Sequence, residues 1–145
     1  SYYDFDQRFI KSLNNYLTMK KDINNSADVQ WMVDRFYDKI KEDKLVGFIF
    51  TDVMKVNWEK HLPVMYGFWE NALFFTGGYN GNALKKHINI NKVIPLQKKH
   101  FTRWLQLFNL TVDEYFEGEK ATLAKQRAHS IATIMQIKIK EPSVK

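Results

Sequence analysis

A run of apolar side chains between residues 26 and 40 is the strongest constraint that the sequence places on the fold. They recur at the spacing of one face of an α-helix. Asn25 and Ser26, directly before the run, are both residue types that cap helix N-termini. We therefore predict a long amphipathic helix that begins near residue 26. Its apolar face consists of Val29, Met32, Val33, Phe36, Tyr37 and Ile40.

Three further apolar series follow helical spacing. The first spans residues 4 to 19 and predicts an N-terminal helix, which ends at the polar stretch KKDINNS. The second spans residues 58 to 72, and Pro63 should deform its first turns because proline lacks an N–H donor and crowds the preceding turn. The third places Pro95 at the first position of a helix, where proline is favoured, and continues to Tyr115.

The rest of the chain predicts a short helix, a joint and a final helix. Residues 82 to 88 have room for a short helix only, and the brief alternation after it has no second strand to pair with. Gly118 marks a joint before the last helix, which dissolves into the charged tail KIKEPSVK. That helix carries Leu123, Arg127, Ile131, Ile134 and Met135.

These elements together predict an all-α fold. It has four long helices and one short helix, and an extra N-terminal helix precedes them. We expect residues 1–25 to form a helical extension and residues 26–145 to form one domain. The apolar stripe of the extension would either cover that domain or pair two chains.

Several classes of active site are excluded by what the sequence lacks. The chain has no cysteine, which excludes disulfides, thiolate zinc sites, iron–sulfur clusters and cysteine catalysis. It also has no phosphate-binding or dinucleotide-binding glycine pattern and no H-E-x-x-H zinc motif. A di-iron site would need two Glu-x-x-His pairs, which are absent too.

Charge and hydropathy indicate neither a membrane nor a nucleic-acid partner. No window approaches the roughly 20 apolar residues of a membrane span, and the polar start does not match a signal peptide. The net charge is +6, but the lysines are spread along the chain, as on a solvated surface. We expect a soluble, cytoplasmic protein.

Histidines and aromatic residues are the remaining candidates for a functional site. The charged neighbours of His100 and His129 predict partial exposure of both, whereas His61 lies on an apolar stripe and His87 on the short helix. A histidine in such a place is commonly a core residue. Nevertheless, imidazoles on a long and a short helix suit the two sides of a flat apolar cofactor such as haem. The 22 aromatic residues (11 Phe, 7 Tyr and 4 Trp) suit the walls of such a cavity, or simply a bulky core.

Four segments carry a family resemblance. They are FYDKIKEDKLVGFIF, WEKHLPVMYGFW, YNGNALKKH and FTRWLQLF. In this order and spacing they resemble the truncated haemoglobins, most closely group III, over about residues 27 to 139. The resemblance implies a globin-like fold, a truncated two-over-two helical sandwich around haem b. The pair Gly77 and Gly78 departs from the usual group III pattern.

The resemblance also implies roles for individual residues. His87 matches the proximal iron ligand, and Tyr37, His61 and Trp104 match distal positions that stabilise a bound ligand. Without the family, Tyr37 and Trp104 would be interpreted as aromatic core. From their positions we further predict contacts with the haem, including its propionates. These contacts involve Phe36, Phe50, Met65, Phe68, Trp69, Tyr79, Leu84, Lys86, Ile88 and Phe108.

The function that the resemblance implies is the binding of oxygen and other diatomic ligands at a pentacoordinate haem iron. Nitric oxide, carbon monoxide and peroxide are the other expected small ligands, with an unidentified reductase as a partner. We expect a monomer or a weak homodimer. Two alternatives remain: a redox enzyme on the same haem (a nitric oxide dioxygenase or peroxidase-like), or a haem-free globin-fold sensor or interaction module.

Overall fold

The computed structural model describes residues 2–77 and 94–140, and within these ranges it contains helices and no strand. This confirms the predicted all-α class. The predicted short helix at residues 82 to 88 lies outside the described residues. The helices are α1 (Tyr2–Thr18), α2 (Ser26–Glu42), a π-helical turn (Ile49–Val53), α3 (Trp58–Phe74), α4 (Lys98–Tyr115) and α5 (Glu119–Lys140).

Helix α2 lies at the centre of the domain and packs against α3 and α4, while α5 packs against α4 and α3. All six residues of the predicted apolar face of α2 are buried. The predicted start is confirmed as well. Asn25 is the N-cap, and its side-chain oxygen accepts a hydrogen bond from the backbone N–H of Asp28 at 2.9 Å.

Helix α3 is continuous through Pro63, the sixth of its residues. Proline at this depth leaves the carbonyl of Glu59 without its usual helical donor, whereas the first turn is secured by Asn57. The Asn57 carbonyl accepts from the N–H of His61 at 2.8 Å. The helix therefore begins normally and carries both His61 and Trp69 toward the domain centre.

The predicted start of α4 at Pro95 is wrong. The helix begins at Lys98, and Gln97 has the extended conformation of a cap residue, with φ −109° and ψ 162°. The imidazole Nδ1 of His100 accepts a hydrogen bond from the N–H of Gln97 at 2.9 Å. This cap fixes the boundary, and Pro95 lies in the irregular segment before it.

The buried face of α5 also differs from the expected apolar series. Ile134 is 54% exposed and Arg127 is exposed as well. The fully buried positions are instead small, which lets the α5 backbone come close to its neighbours. The helix also continues to Lys140, past the start of the charged tail. The buried positions are Ala121, Ala124, Ala128 and Ala132.

The joint between α4 and α5 is closed by a segment from the other end of the chain. The Asp22 carboxylate accepts hydrogen bonds from the N–H groups of Lys120 and Ala121, at 2.9 and 2.8 Å. It therefore caps α5 from nearly 100 residues away. Burial by itself would raise the pKa of Asp22, but these donors outweigh it and lower the pKa. Gly118 lies against this carboxylate with φ +141°.

Helix α1 presents its apolar stripe to solvent. Phe9, Leu13 and Leu17 are 59%, 44% and 69% exposed. The stripe therefore does not cover the described part of the domain, and pairing of two chains through it stays a prediction. None of the helices within residues 2–77 and 94–140 combines the length and apolarity that crossing a bilayer would require.

Candidate functional site

A cavity of about 180 Å³ lies between α2, the π-helical turn, α3, α4 and α5. Its wall is overwhelmingly apolar and aromatic, which is typical of sites for flat organic molecules. Seven residues that were singled out from the sequence meet there. They are Tyr37, Phe50, His61, Met65, Phe68, Trp69 and Trp104.

Tyr37 of α2 and His61 of α3 form the polar pair of this cavity. The Tyr37 Oη and His61 Nε2 atoms are 3.3 Å apart, and Tyr37 is only 6% exposed. The two rings lie edge to face, with centroids 5.3 Å apart. Burial strongly raises the pKa of the Tyr37 phenol, because it penalises the phenolate. Tyr37 is therefore a neutral hydroxyl at physiological pH.

Aromatic rings hold this pair in place. Trp58, in the first turn of α3, lies 5.3 Å from the Tyr37 ring and 5.8 Å from the His61 ring. Phe50, from the π-helical turn, stacks on Trp58 and also meets Tyr37 edge to face. Rings packed on several sides leave the phenol and the imidazole little freedom to turn.

Trp104 lines the cavity from α4. Its ring meets Phe36 edge to face at 5.6 Å and stacks on Phe108 at 5.9 Å, and Phe108 in turn stacks on Trp69. Phe36 and Phe108 are completely buried behind these rings and are not among the residues that line the cavity. Within the described part of the chain, the indole N–H of Trp104 has no hydrogen-bond acceptor. It is therefore a donor without a partner in the described cavity wall.

An ion pair fixes the corner that connects α2 to the π-helical turn. The Asp43 carboxylate accepts from the N–H groups of Leu45 and Val46, and it pairs with Arg103 of α4 at 2.8 Å. Burial would raise the pKa of Asp43, but Arg103 and the two N–H donors lower it by more. Val46 and Trp104, each close to one of these groups, both line the cavity.

The cavity also contains residues that were not predicted as site residues. Two of them, His100 and Phe101, lie four and three positions before Trp104 and so share its helix face, a signal that was available in the sequence. The expected partial exposure of His100 is wrong, because the residue is only 8% exposed. Ile131 and Met135 also line the cavity, and both belong to the predicted apolar series of α5. The others carry no comparable signal. They are Val46, Ile49, Met54, Val64, Leu96 and Ala132.

Five predicted residues lie outside the described residues. These are the expected iron ligand His87 and the expected haem contacts Tyr79, Leu84, Lys86 and Ile88. The described residues include Tyr37, His61 and Trp104, all of which line the cavity. Within them, no three histidine, aspartate or glutamate side chains converge as a metal site.

The chemistry of the described wall fits a haem. A macrocycle is flat and largely apolar, and this wall presents aromatic rings and aliphatic side chains almost everywhere. Its polar exceptions include a neutral phenol, an imidazole hydrogen-bonded to it and an unpaired indole N–H. Such groups can donate hydrogen bonds to a small polar ligand without introducing a charge.

Comparison with known proteins gives one consistent answer. The chain is 31% identical over 121 residues to the group 3 truncated haemoglobin ctb of Campylobacter jejuni, with 81% of this chain and 93% of the relative covered. It also superposes on the crystal structure of a group III truncated haemoglobin from Campylobacter jejuni with a TM-score of 0.74. That match has 28% identity and covers 88% of this chain and all of the other. No protein-family model matches the chain.

Proposed function

The chain belongs to the group III truncated haemoglobins, and from this premise we propose that it holds haem b in the cavity and reversibly binds oxygen and other diatomic ligands. The iron would be held by His87, in the segment LKKH. The observation that carries the proposal is the Tyr37–His61 pair, 3.3 Å apart inside an apolar cavity.

When bound, haem would supply an iron that can take a small ligand. Tyr37 and His61 determine which protons face that ligand. If His61 carries its hydrogen on Nε2, it donates to Tyr37 Oη, and the Tyr37 hydroxyl is free to donate to the ligand. In the other tautomer, Tyr37 O–H donates to His61 and is unavailable. We propose the first tautomer, because it makes the phenol a directed donor.

Trp104 supplies a second donor, and its indole nitrogen cannot accept. Its ring is fixed between Phe36 and Phe108, so its N–H needs little reorganisation to serve a ligand. Two fixed donors favour a ligand that becomes partly negative, such as oxygen, over the nearly apolar carbon monoxide. The polar wall therefore supports oxygen as the preferred ligand.

The state of Tyr37 supports a pentacoordinate iron. A tyrosine binds iron as phenolate, and the raised pKa of Tyr37 disfavours that form at neutral pH. His61 is hydrogen-bonded to Tyr37, and Trp58 packs against both. These contacts would keep both groups available as hydrogen-bond partners of a bound diatomic molecule rather than as ligands of the iron.

The haem contacts divide into two groups. Phe50, Met65, Phe68 and Trp69 line the cavity, and we propose direct contact with the macrocycle for them. Phe36 and Phe108 would act from behind, by holding Trp104 and Trp69 in place. Tyr79, Leu84, Lys86 and Ile88 stay proposed contacts on the side of His87.

An absorption spectrum tests the proposal. Purified protein mixed with haem should give a Soret band, and the reduced form should give a carbon monoxide complex. His87→Gly should lose axial coordination and regain it on addition of free imidazole. His129→Gly, a change at an exposed histidine of α5, is the matched control and should behave like the unchanged protein. An unaltered spectrum for His87→Gly would refute the iron ligand, and the absence of any Soret band would refute the whole proposal.

A further inference from the structure

His100 is a buried histidine that the binding of a diatomic ligand does not require. It lies in the first turn of α4, one turn before Trp104, and lines the same cavity. Only 8% of its surface is exposed. Buried polar groups in folded proteins are nearly always hydrogen-bonded, so each nitrogen of this ring needs an explanation.

The first nitrogen is accounted for by the helix cap. Nδ1 accepts the hydrogen bond from the Gln97 N–H at 2.9 Å, so Nδ1 carries no hydrogen. In a neutral imidazole the hydrogen is then on Nε2. Burial lowers the pKa of His100, and the charge of Lys99 lowers it further, so the ring is neutral near pH 7. The cap thus fixes both the tautomer and the orientation of the ring.

The second nitrogen has no such partner. Within residues 2–77 and 94–140, no acceptor lies within hydrogen-bonding distance of Nε2. The neighbouring residues in the cavity wall, Leu96 and Phe101, have apolar side chains. The nine-tenths buried His100 side chain therefore lines the cavity with an N–H donor that has no acceptor among the described residues.

The surroundings of His100 favour an anionic acceptor. α4 has 18 residues, and its N-terminus bears the positive end of the helix dipole. Lys98 and Lys99 add two positive charges to the first turn, which contains no acidic residue. A carboxylate is an oxygen acceptor that gains from a fixed N–H donor, a helix N-terminus and nearby lysines together.

We propose that the start of α4 is a carboxylate subsite of the cavity, in which the Nε2–H of His100 donates a hydrogen bond to a carboxylate of the bound molecule. The inference rests on the proposed function, since haem b carries two carboxylates. A free small carboxylate has the same chemistry and is the other possible source. In either case His100 is a binding residue, distinct from the Tyr37–His61 pair.

The test measures the loss of ferric haem from the holoprotein to an excess of a haem-free acceptor globin. His100→Phe should lose haem about tenfold faster than the unchanged protein, whereas His100→Gln, which keeps an N–H donor, should recover most of the difference. His129→Gln is the surface control and should lose haem at the original rate. Equal rates for the unchanged protein, His100→Phe and His100→Gln, together with a His100 Nε2–H signal that exchanges rapidly under all conditions, would overturn the proposal.

A second arm identifies the carboxylate. With haem b dimethyl ester, in which both carboxylates are blocked, the unchanged protein and His100→Phe should lose the cofactor equally fast. A tenfold difference that persists with the ester would overturn the proposal, because the acceptor would not be a carboxylate. Nuclear magnetic resonance of the His100 Nε2–H gives an independent readout. A slowly exchanging signal with haem b assigns the porphyrin carboxylate, and one that appears with the ester only on adding sodium propionate assigns a free carboxylate.

The outcomes separate this proposal from the proposed function. If the unchanged protein gives no Soret band, it does not bind haem, and the proposed function fails together with the basis for this subsite. A normal Soret band together with a rapidly exchanging His100 signal under all conditions refutes the subsite and leaves the proposed function intact. A folding defect in His100→Phe shows up in its circular dichroism, and the His100→Gln rate and the resonance signal then decide the question.

Discussion

The hydroxyl oxygen of Tyr37 on α2 and the Nε2 atom of His61 on α3 lie 3.3 Å apart, in a described cavity wall that is otherwise mostly apolar. Each group sets the proton position of the other. A change at one residue therefore alters the hydrogen bonding of both, and their effects on ligand binding should not add independently.

Tyr37→Phe should speed oxygen release about tenfold, because it removes one buried donor worth about 1 to 1.5 kcal/mol. Stopped-flow displacement of oxygen by carbon monoxide measures the rate. Tyr66→Phe is the matched control, since Tyr66 donates its hydrogen bond to Asp34, away from the cavity. If both variants release oxygen at the same rate, Tyr37 does not contact the ligand.

Trp104→Phe should also speed oxygen release, by about three- to tenfold, because the indole N–H is lost while a flat ring remains. The stacking on Phe108 and the contact with Phe36 should largely persist, so the free energy of unfolding should fall by less than about 1.5 kcal/mol. Chemical denaturation measures the second effect. A large loss of stability with unchanged release would identify Trp104 as a packing residue only.

Gly118→Ala should destabilise the fold by about 2 to 3 kcal/mol, through both backbone strain and overlap. Its φ is +141°, and an added Cβ would lie 2.6 Å from Cγ of Asp22. Gly77→Ala separates the two causes, because Gly77 has φ +73° but open space around its Cβ position. It should cost only about 1 to 2 kcal/mol, the strain of a left-handed residue. Urea unfolding measures both losses of stability. Equal losses for Gly118→Ala and Gly77→Ala would argue against an overlap of the added Cβ with Asp22.

Asp22→Ala should lower the free energy of unfolding at pH 7 by about 1 to 3 kcal/mol, because two N–H groups of α5 lose their acceptor. The pKa of Asp22 is lowered in the folded state, so its contribution is complete above the unfolded value of 3.8 and disappears as the pH falls through the folded value. The difference in the free energy of unfolding between the unchanged protein and Asp22→Ala should thus be constant from pH 7 to 5 and become smaller below pH 4.

Asp52→Ala is the control for this series, since Asp52 is exposed in the π-helical turn and no hydrogen bond joins its side chain to another described residue. Its free energy of unfolding should stay within about 0.5 kcal/mol of that of the unchanged protein at pH 7. If the loss of unfolding free energy caused by Asp22→Ala grew toward pH 3, it would contradict the lowered pKa of Asp22.

Local sequence patterns predicted the parts of the fold that local interactions determine. The apolar face of α2 and its cap at Asn25 follow from spacing and residue type within one helix. The start of α4 does not, because it depends on the imidazole of His100 accepting a hydrogen bond from Gln97 rather than on the nearby proline. The alanine face of α5 depends on how close α4 and α3 approach, which no single-helix pattern contains.

The site could be predicted to a similar degree. Tyr37, His61 and Trp104 lie on long helices, and the order of the four segments indicated that they belong together. The cavity residues between Val46 and Met54 depend on the Asp43–Arg103 pair, which joins positions 60 residues apart. The charged neighbours of His100 suggested exposure, but the helix turns its imidazole inward and leaves Lys98 and Lys99 outside.

The Asp22 cap also determines where the chain can be shortened. Ile23 is completely buried, and the backbone carbonyl of Lys21 receives the N–H of Glu117, so residues 21 to 23 are part of the folded unit. A deletion that stops before Lys20 should leave a stable protein, whereas one that reaches Asn25 should expose the first turn of α5. The smallest autonomous form of this globin therefore starts several residues earlier than its first long buried helix.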